Sequence, residues 1–377
     1  MNQIAFHDQI EQRHKRLFAA MSNQGIDALV LNPGPSLVYL TGLHFHLSER
    51  PVVTIFTPDK EPLIVLPQLE TTKLTGLSFG SRSFSYSDDP DTWLDAFKKA
   101  VQAGNIDGRV IGIEPGRLRV LELRYLEKVA PQAHFISAAE SLESLRISKD
   151  KDEISAMRRA VDIAQNALIA TIPSIKLGAS EQEIASELTL QLYRAGSEPQ
   201  LPFFPIVSSG KNTANPHATP SERTLQSGDL LVIDWGASYK GYASDITRTF
   251  ALGLVDEELA YIAEIVLQAN EAGRKAASPG VSAASVDKAA RDVIEAAGYG
   301  DYFIHRTGHG LGMESHEAPY IRSGNLNPLE LGMTFTVEPG IYLPDRGGVR
   351  IEDDVLITAD GSESLTSLQR QLHTINE

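Results

Sequence analysis

Side chains able to bind metal ions recur near turns in the second half of this 377-residue chain. Asp234 closes the apolar run 230–233, and Asp245 follows 11 residues later, with Gly236 and Gly241 between them as turn residues. An acid at the end of a buried strand is costly unless it is paired or metal-bound. A hairpin of this length can bring the two carboxylates to one end.

A second pair of acids repeats this layout. Glu338 ends the next such run, the chain turns at Gly347 and Gly348, and Glu352 lies on the return strand. Four carboxylates in one pocket would repel one another, and two divalent ions would neutralise them. This predicts two-metal hydrolysis, in which ions about 3.5–4 Å apart share a bridging hydroxide that acts as the nucleophile.

An imidazole is expected as the fifth ligand. His309 lies among glycines in the segment 307–312, and glycines allow close backbone approach. Taken singly, such acids and histidines are more often turn, cap or loop residues, but their order and duplication favour a metal site. A carboxylate-rich set with one nitrogen favours two Mn²⁺ ions, with Co²⁺, Zn²⁺ and Fe²⁺ as alternatives. The predicted metal ligands are Asp234, Asp245, His309, Glu338 and Glu352.

An internal repeat predicts how these residues are brought together. The segments 177–196 and 279–298 match at an offset of 102 residues, and both read as a glycine turn followed by an amphipathic helix. The corresponding site residues are His217 and His316, Asp234 and Glu338, and Asp245 and Glu352. We therefore predict a unit of two helices and a β-hairpin that is used twice, with pseudo-twofold symmetry and the site between its halves.

The first half of the chain lacks such a cluster and alternates between strand and helix patterns. Helices are predicted at 10–21, 92–103 and 118–129, and strands at 28–31, 52–56, 63–66, 110–113 and near residue 135. This alternation predicts an α/β covering domain. We place the boundary in the charged segment 148–152, where Asp152 is predicted to cap the next helix. The predicted domains are 1–148 and 149–377.

Composition excludes several classes of site and partner. The chain has no cysteine, so disulfides, thiolate zinc sites and iron–sulfur clusters are excluded and any metal must bind oxygen and imidazole ligands. The net charge of −15 argues against a nucleic-acid partner. No apolar stretch suits a signal peptide, and none approaches the roughly 18 residues of a membrane span. A cytoplasmic location without a membrane partner is the default expectation.

These motifs resemble those of the pita-bread metallopeptidases, which include methionine aminopeptidase, aminopeptidase P and prolidase. The matching segments are 232–236, 244–249, 308–312, 337–340 and 350–353. The first half resembles the additional domain of the prolidase and aminopeptidase P branch, mainly from Arg13 onward and through the segments 27–31 and 39–42. The resemblance implies an α/β N-terminal domain, an α+β pita-bread catalytic domain with an internal pseudo-twofold repeat, and a homodimer.

The resemblance also implies a role for each metal ligand. Asp234 and Glu352 would bridge or flank the ions, and Asp245 would hold one of them. His309 and Glu338 would bind the other ion. Glu338 would act as general base as well, taking a proton from the bridging water and passing it to the leaving amine.

Four further site residues follow from the same resemblance. His217 and His316 would stabilise the tetrahedral intermediate and assist proton transfer. His305, four residues before His309, would line the proline side of the substrate pocket. Arg350 would pair with ligand carboxylates.

The resemblance implies a proline-containing peptide as substrate. The scissile bond is then a tertiary amide, and the compact, apolar proline ring needs a pocket with a matching shape and apolar walls. Candidate pocket walls are Phe203, Phe204, Tyr320 and Tyr342. A dipeptidase also needs a cation for the free carboxylate, for which Arg322 is the nearest candidate. Archaeal-type prolidases would place this arginine where the chain has Tyr320, a difference that favours removal of an N-terminal residue from longer Xaa-Pro peptides.

Several alternatives stay open on the sequence. One is a prolidase that acts only on Xaa-Pro dipeptides, and another is a non-peptidase C–N hydrolase of the creatinase or ectoine hydrolase type. A third is a non-catalytic binding module related to histone chaperones. Creatinase-like proteins and the chaperone relatives lose metal ligands, whereas all five are present here. Methionine aminopeptidase is disfavoured by the long N-terminal half.

Overall fold

The structure, a computed structural model, describes residues 3–58 and 60–375. The chain divides between residues 146 and 147 into two compact units, which are described in turn. Within the described residues, no helix is both long enough and apolar enough to cross a membrane.

The first unit combines helices with one mixed sheet. Its helices are α1 (Gln3–Asn23), α2 (Pro35–Thr41), α3 (Trp93–Gly104), α4 (Val120–Val129) and α5 (Ala139–Arg146). Its strands are β1 (Ala28–Leu31), β2 (Val53–Phe56), β3 (Leu63–Pro67), β4 (Arg82–Tyr86), β5 (Val110–Ile113) and β6 (His134–Ser137). The sheet order is β4-β3-β2-β1-β5-β6, in which β1, β5 and β6 run parallel and β2 runs antiparallel to its two neighbours.

Local sequence explains most of this unit. In α3, Phe97, Ala100 and Val101 recur at helical spacing and pack against buried strand residues such as Val30. The predicted strands, and the helices predicted at 92–103 and 118–129, are found within about two residues of their expected bounds, whereas α1 begins well before the predicted residue 10. Strand β4 was not predicted because most of its side chains are exposed, so that it lacks an apolar run. Helix α2 was also missed, although Pro35 at its first turn is a helix-start signal.

The second unit carries long helices around two larger sheets. Its helices are α6 (Lys151–Thr171), α7 (Glu181–Ala195), α8 (Glu257–Ala276) and α9 (Ala283–Ala296). Its strands are β7 (Ile206–Ser209), β8 (Leu230–Trp235), β9 (Ser238–Tyr239), β10 (Tyr242–Ala243), β11 (Ile246–Leu252), β12 (Gly308–Gly310), β13 (Glu317–Ile321), β14 (Thr334–Val337), β15 (Gly340–Leu343), β16 (Gly347–Arg350), β17 (Asp353–Thr358), β18 (Gly361–Ser364) and β19 (His373–Ile375).

The two sheets of this unit have related layouts. One has the order β19-β11-β8-β7 and the other β13-β12-β14-β17-β18. In each, a central antiparallel pair, β8 with β11 or β14 with β17, is linked through a small hairpin, β9–β10 or β15–β16. A bridge between Thr247 and Glu352 joins the two halves directly.

The internal repeat is visible at the level of single residues. Ser180 caps α7 and Ser282 caps α9, and each serine also makes an antiparallel bridge, to Thr224 and Pro328 respectively. The apolar positions that matched in the sequence are buried in both helices: Ile184, Leu188 and Leu192 in α7, and Val286, Ala290 and Ile294 in α9. The two helices therefore use the same face and the same start signal.

The helix cap predicted at the start of the second unit was wrong by two residues. Asp150, and not Asp152, is the N-cap of α6, since its side chain accepts hydrogen bonds from the backbone N–H groups of Asp152 and Glu153. Glu153 returns the interaction by accepting from the N–H of Asp150, which completes a capping box. Asp152 lies in the first turn, where its charge complements the helix dipole.

Candidate active site

A cavity of about 600 Å³ in the second unit brings the predicted site residues together. All nine residues predicted from the sequence line it: His217, Asp234, Asp245, His305, His309, His316, Glu338, Arg350 and Glu352. These residues come from both halves of the repeat. The cavity therefore lies between the two halves, as the repeat predicted.

Strand register places the acids. Asp234 lies on β8 opposite Thr247 of β11, and Asp245 immediately precedes β11. Thr247 Oγ1 donates a hydrogen bond of 2.6 Å to Oε2 of Glu352, which the bridge between the halves holds alongside. The backbone N–H of Asp245 donates to Asp354 of β17 at 3.2 Å. Glu352 and the backbone of Asp245 are thus fixed by contacts with the opposite half.

Glycines flanking His309 let its strand approach its neighbours closely. A Cβ on Gly308 would lie 1.8 Å from the carbonyl oxygen of Thr336, and one on Gly310 would lie 2.1 Å from that of Ala318. The glycine pattern in this segment is therefore a packing requirement. The Nδ1 atom of His309 lies 3.1 Å from the carbonyl oxygen of Gly310, a bond that needs the proton on Nδ1 and leaves the Nε2 lone pair available.

Potential metal ligands converge at Nε2 of His309. One ligand atom from each of Asp245, His309 and Glu352 lies within 4.8 Å of the other two. Nε2 is 3.2 Å from Oε1 of Glu338 and 3.8 Å from Oδ2 of Asp245. Oδ1 of Asp234 is buried and has no hydrogen-bond partner in the described part of the chain. Carboxylates converging with one imidazole, and with a buried oxygen left unpaired, fit divalent cations.

The raised pKa values of three of these acids also favour bound cations. Burial, followed by repulsion from Glu352 and Asp234, raises the pKa of Asp245 well above its ordinary value. Burial, followed by repulsion from Glu338 and Asp234, does the same to the pKa of Glu352. Burial raises the pKa of Asp234 as well, against the opposing effect of Arg350. The protein alone therefore favours protons on these groups, which positive ions would displace.

Glu338 and two histidines have the opposite tendency. Burial would raise the pKa of Glu338, but the hydrogen bond and charge of His309, with His305 and Arg350, lower it to about 2. Burial, aided by His309 and Arg306, lowers the pKa of His316 to about 4. Burial likewise lowers the pKa of His305. Near neutral pH the site thus holds an ionised Glu338 together with neutral His305 and His316.

A chain of hydrogen bonds links Asp234, a predicted metal ligand, to His305. Arg350 donates to Oδ2 of Asp234 at 2.6 Å and to the hydroxyl of Tyr342 at 3.0 Å. That hydroxyl lies 2.9 Å from Nε2 of His305, whose Nδ1 lies 2.7 Å from the Arg306 carbonyl oxygen. Since Nδ1 must donate to the carbonyl, Nε2 accepts from Tyr342. The sequence singled out Tyr342 only as a pocket wall and missed this link.

Other supporting residues were also missed. Arg248 donates to the backbone oxygens of Thr247 and Glu352, at 2.8 and 2.7 Å, and to the buried carboxylate of Asp353 at 2.8 Å. It therefore clamps the backbone at the junction of the two halves. The available signal was the adjacency of these residues to predicted ligands, because Arg248 follows Asp245 by three positions and Asp353 follows Glu352.

The substrate side of the cavity differs in part from prediction. Phe203 and Phe204 line it, together with Ile206. Tyr320 and Tyr342 are absent from the lining among the described residues, so their predicted place as walls was wrong. Arg322 was also wrongly nominated, because its side chain is exposed and donates to the Ser323 carbonyl oxygen. Arg306 lines the cavity instead, with its guanidinium 4.8 Å from the centre of the Tyr320 ring.

Comparison with known protein families decides the class to which this geometry belongs. The model of metallopeptidase family M24 matches residues 155–359, a range that contains every predicted site residue. The chain belongs to metallopeptidase family M24. As a member of M24 it is a metal-dependent peptidase, and the family implies divalent metal ions at the site. Residues 13–148 match the creatinase/prolidase N-terminal domain, which accompanies M24 domains in prolidases.

Relatives of this M24 protein match it along most of its length. A Xaa-Pro dipeptidase of Lactobacillus helveticus is 37% identical over 94% of the chain and 96% of its own length. The crystal structure of a dipeptidase from Pyrococcus horikoshii has a TM-score of 0.90 at 38% identity, covering 96% of this chain and all of that one. An X-Pro aminopeptidase from Thermotoga maritima has a TM-score of 0.84 at 33% identity, covering 96% and 99%.

These comparisons confirm two predictions for this M24 chain. The family resemblance is confirmed, and so is the fold, an α/β N-terminal domain followed by an α+β pita-bread domain with an internal repeat. Because dipeptidases and an aminopeptidase both align over nearly the whole chain, overall similarity does not separate these two activities.

Proposed function

We propose that this protein is a dinuclear-metal exopeptidase that cleaves the Xaa-Pro bond at the N-terminus of peptides. The observation that carries the proposal is the convergence of Asp245, His309 and Glu352 in a cavity that Asp234 and Glu338 also line. The names of the M24 relatives, Xaa-Pro dipeptidase and X-Pro aminopeptidase, support the choice of bond.

The five predicted ligands would hold two divalent ions. Asp245 and Glu352 approach His309 within one cluster, and Glu338 contacts the same imidazole nitrogen. We assign Asp234 to the remaining position, where its unpaired Oδ1 is available. Manganese is the proposed metal, since four carboxylates and one imidazole suit it. When bound, the ions would supply Lewis-acid polarisation of the scissile carbonyl and activation of water.

Glu338 is the residue proposed to move the proton. Its carboxylate is ionised near neutral pH because its pKa is lowered to about 2, and it lies at the cavity wall beside His309. A positioned carboxylate of this kind takes a proton from the attacking water and delivers it to the departing proline nitrogen. This delivery is needed because an amide nitrogen leaves as an amine only when it gains a proton.

The histidines are proposed to bind the substrate oxygen and the proline side. His316 is neutral, with a pKa of about 4, and its ring centre lies 4.0 Å from that of His309. It and His217 would donate hydrogen bonds to the oxygen that becomes negative during attack. His305 would contact the proline ring, with its orientation fixed by Tyr342.

The apolar part of the lining fits proline. Phe203 and Ile206 offer surface to a compact apolar ring, and Phe204, which is 92% exposed, contributes to the open rim. A pocket of this kind recognises shape and apolar area rather than a missing N–H group. This supports proline after the scissile bond.

A second candidate, a dipeptidase limited to Xaa-Pro, is favoured by Arg306. Arg350, the other arginine of the cavity lining, is committed to Asp234 and Tyr342. In the described part of the chain, no carboxylate pairs with Arg306, which the ring of Tyr320 supports from one side. A guanidinium held in this way suits the free carboxylate of a dipeptide. The presence of Tyr320, where archaeal-type prolidases would place an arginine, favoured longer peptides. Arg306 offsets that argument because it supplies a cation for the free carboxylate.

We also propose the domain bounds, the oligomeric state and the location of this protein. The functional domains are 1–148, a creatinase/prolidase-like domain, and 149–377, the catalytic domain. A homodimer and a cytoplasmic location remain predictions, as does a proline-containing peptide as substrate.

The test compares substrates on manganese-loaded protein. Release of Xaa from both Xaa-Pro and Xaa-Pro-Yaa peptides would support the exopeptidase, and release from Xaa-Pro alone would support the dipeptidase. Asp245→Ala is the control, and it should lose metal and activity together. Wild-type activity in Asp245→Ala protein, or cleavage of neither peptide by the wild type, would refute the proposal.

A further inference from the structure

Glu181 lies outside the cavity lining, and its fully buried carboxylate is bound by several hydrogen-bond donors of one loop. Oε1 accepts from the N–H and hydroxyl of Ser209, at 2.7 and 2.8 Å, and Oε2 accepts from the N–H and hydroxyl of Ser221, at 3.0 and 2.6 Å. Asn212 donates to both oxygens. One carboxylate therefore grips both ends of the segment 209–221, here called the 209–221 loop.

The 209–221 loop carries His217 to the cavity. The loop has two further contacts with the second half of the repeat, where Thr213 accepts from the N–H of Gly348 at 2.7 Å and the carbonyl of Pro216 accepts from Arg350 at 3.2 Å. The backbone N–H of His217 donates to Asn215, but its ring has no hydrogen-bond partner within the described residues. The position of this ring is therefore set by the backbone of the loop.

Burial of the Glu181 carboxylate costs folding free energy unless hydrogen bonds compensate for its lost hydration. A buried carboxylate loses its hydration and must be compensated by donors. Ser180 already caps helix α7 through a capping box with Glu183, so Glu181 is not required as the cap. Its donors all lie in the 209–221 loop.

The second half of the repeat contains a similar contact, although it is made from one turn further along the helix. Asp287 of α9 accepts from the N–H and hydroxyl of Thr307, at 3.1 and 2.8 Å, two residues before His309. Its neighbour Arg291 donates to the carbonyl oxygen of His305 at 2.9 Å. In each half, a buried acid on the second helix of the pair binds the segment that carries cavity histidines.

We infer that Glu181 is a positioning residue that holds His217 over the reacting bond by clamping both ends of the 209–221 loop. The inference rests on the proposed function, because it assumes that His217 acts on the substrate. Glutamine is the informative substitution. A glutamine side chain has one oxygen and one NH₂ group, so its NH₂ group would face the backbone N–H of either Ser209 or Ser221. Two donors cannot form a hydrogen bond with each other, and one end of the loop would therefore be released.

The activity test uses Glu181→Gln, His217→Ala and the double variant. Glu181→Gln should lower kcat by about 10- to 100-fold, with a smaller change in KM and unchanged metal content. Combined with His217→Ala, it should cause no further loss, because the loop would then have no histidine to position. Losses in kcat that multiply in the double variant would overturn the inference.

A matched control separates positioning from general damage. Glu122 of the first unit is equally buried, lies outside the cavity lining and is paired with Arg119. Glu122→Gln should lower the melting temperature and leave kcat unchanged. A loss of kcat in Glu122→Gln as large as that in Glu181→Gln would count against a specific role.

Hydrogen exchange provides a readout that is independent of the substrate. In Glu181→Gln, amide protection should fall within residues 209–221 and stay unchanged in the sheet β13-β12-β14-β17-β18. Unchanged protection of the loop would overturn the inference even if activity falls. If the wild type cleaved no Xaa-Pro peptide, the proposed function would fail while this measurement still tested the clamp. If Glu181→Gln does not fold, Ser221→Ala, which removes one donor, takes its place with the same expected outcomes.

Discussion

Arg350 donates a hydrogen bond of 2.6 Å to Asp234, which lies 116 residues earlier and in the opposite half of the internal repeat. Both side chains are buried. The bond joins the two acidic hairpins and, through Tyr342, extends to His305. Asp234, a predicted metal ligand, and His305, predicted to line the substrate pocket, are therefore parts of one hydrogen-bonded network.

Arg350→Ala should damage metal retention and stability together. Removing one partner of a buried ion pair costs about 3–5 kcal/mol, because Asp234 then stays buried without its charged donor or must take up a proton. We expect a lower metal content by elemental analysis and a lower midpoint of chemical unfolding in the metal-free protein. Arg322→Ala, which changes an exposed arginine, is the control. Wild-type stability in Arg350→Ala would show that the pair contributes little.

Metal affinity should rise with pH. The raised pKa values of Asp245 and Glu352 mean that the metal-free native state binds protons that the unfolded chain has released. The stability of the metal-free protein should therefore fall as pH rises from the ordinary carboxyl pKa through these raised values. Metal binding must displace the protons.

Two measurements check this linkage. Isothermal titration of metal into metal-free protein, in buffers of different ionisation enthalpy, should reveal proton release. Melting curves should show metal stabilising the protein more at about pH 8 than at about pH 6. Metal binding without proton release would contradict the raised pKa values.

Asp245→Asn should change stability in opposite directions with and without metal. Without metal, the neutral amide avoids the buried repulsion from Glu352, so the free energy of unfolding should rise by about 1 kcal/mol or more. With metal, the variant should lose the stabilisation of about 4 kcal/mol expected at 1,000 times the dissociation constant. Melting curves with and without Mn²⁺ measure both effects, and Asp360→Asn is the exposed control. Equal metal stabilisation of variant and wild type would exclude Asp245 as a ligand.

Arg306→Met should separate dipeptides from their amides. If its guanidinium binds the substrate carboxylate, loss of a charge-assisted bond of about 1.5–3 kcal/mol raises KM for Xaa-Pro by roughly 10- to 100-fold. The KM for the corresponding Xaa-Pro amide should be unchanged. Arg322→Met, outside the cavity lining, should alter neither substrate. An equal effect of Arg306→Met on both substrates would remove the argument for a dipeptidase.

The buried pair of Lys149 and Glu317 should be important for stability. Their charged atoms lie 2.7 Å apart, and the side chains are 1% and 6% exposed. Lys149→Met should therefore destabilise the protein by about 3–5 kcal/mol, and adding Glu317→Leu should recover part of this loss. Chemical unfolding measures both variants.

An exposed pair provides the comparison. Arg158 and Glu363 are 43% and 44% exposed, so Arg158→Met should cost less than about 1 kcal/mol. Equal losses in Arg158→Met and Lys149→Met would mean that burial does not govern these pairs.

The sequence alone determined which side chains to expect at the candidate site. The order of acids, glycines and histidines, repeated in both halves, was enough to nominate nine of the residues that line the cavity. It also determined the repeat and most helices and strands of the first unit, because turn glycines and apolar spacing are local properties. Where the local signal was weak, as in β4, the prediction failed.

Only the tertiary structure decided which atoms meet. The register of β8 against β11 sets Asp234 opposite Thr247, and the bridge from Thr247 then brings Glu352 to the site from the other half. The placement of Arg306 in the cavity in place of Arg322, and the grip of Glu181 on the loop of His217, depend on the same long-range packing. Such contacts join residues far apart in the chain, and no local periodicity encodes them.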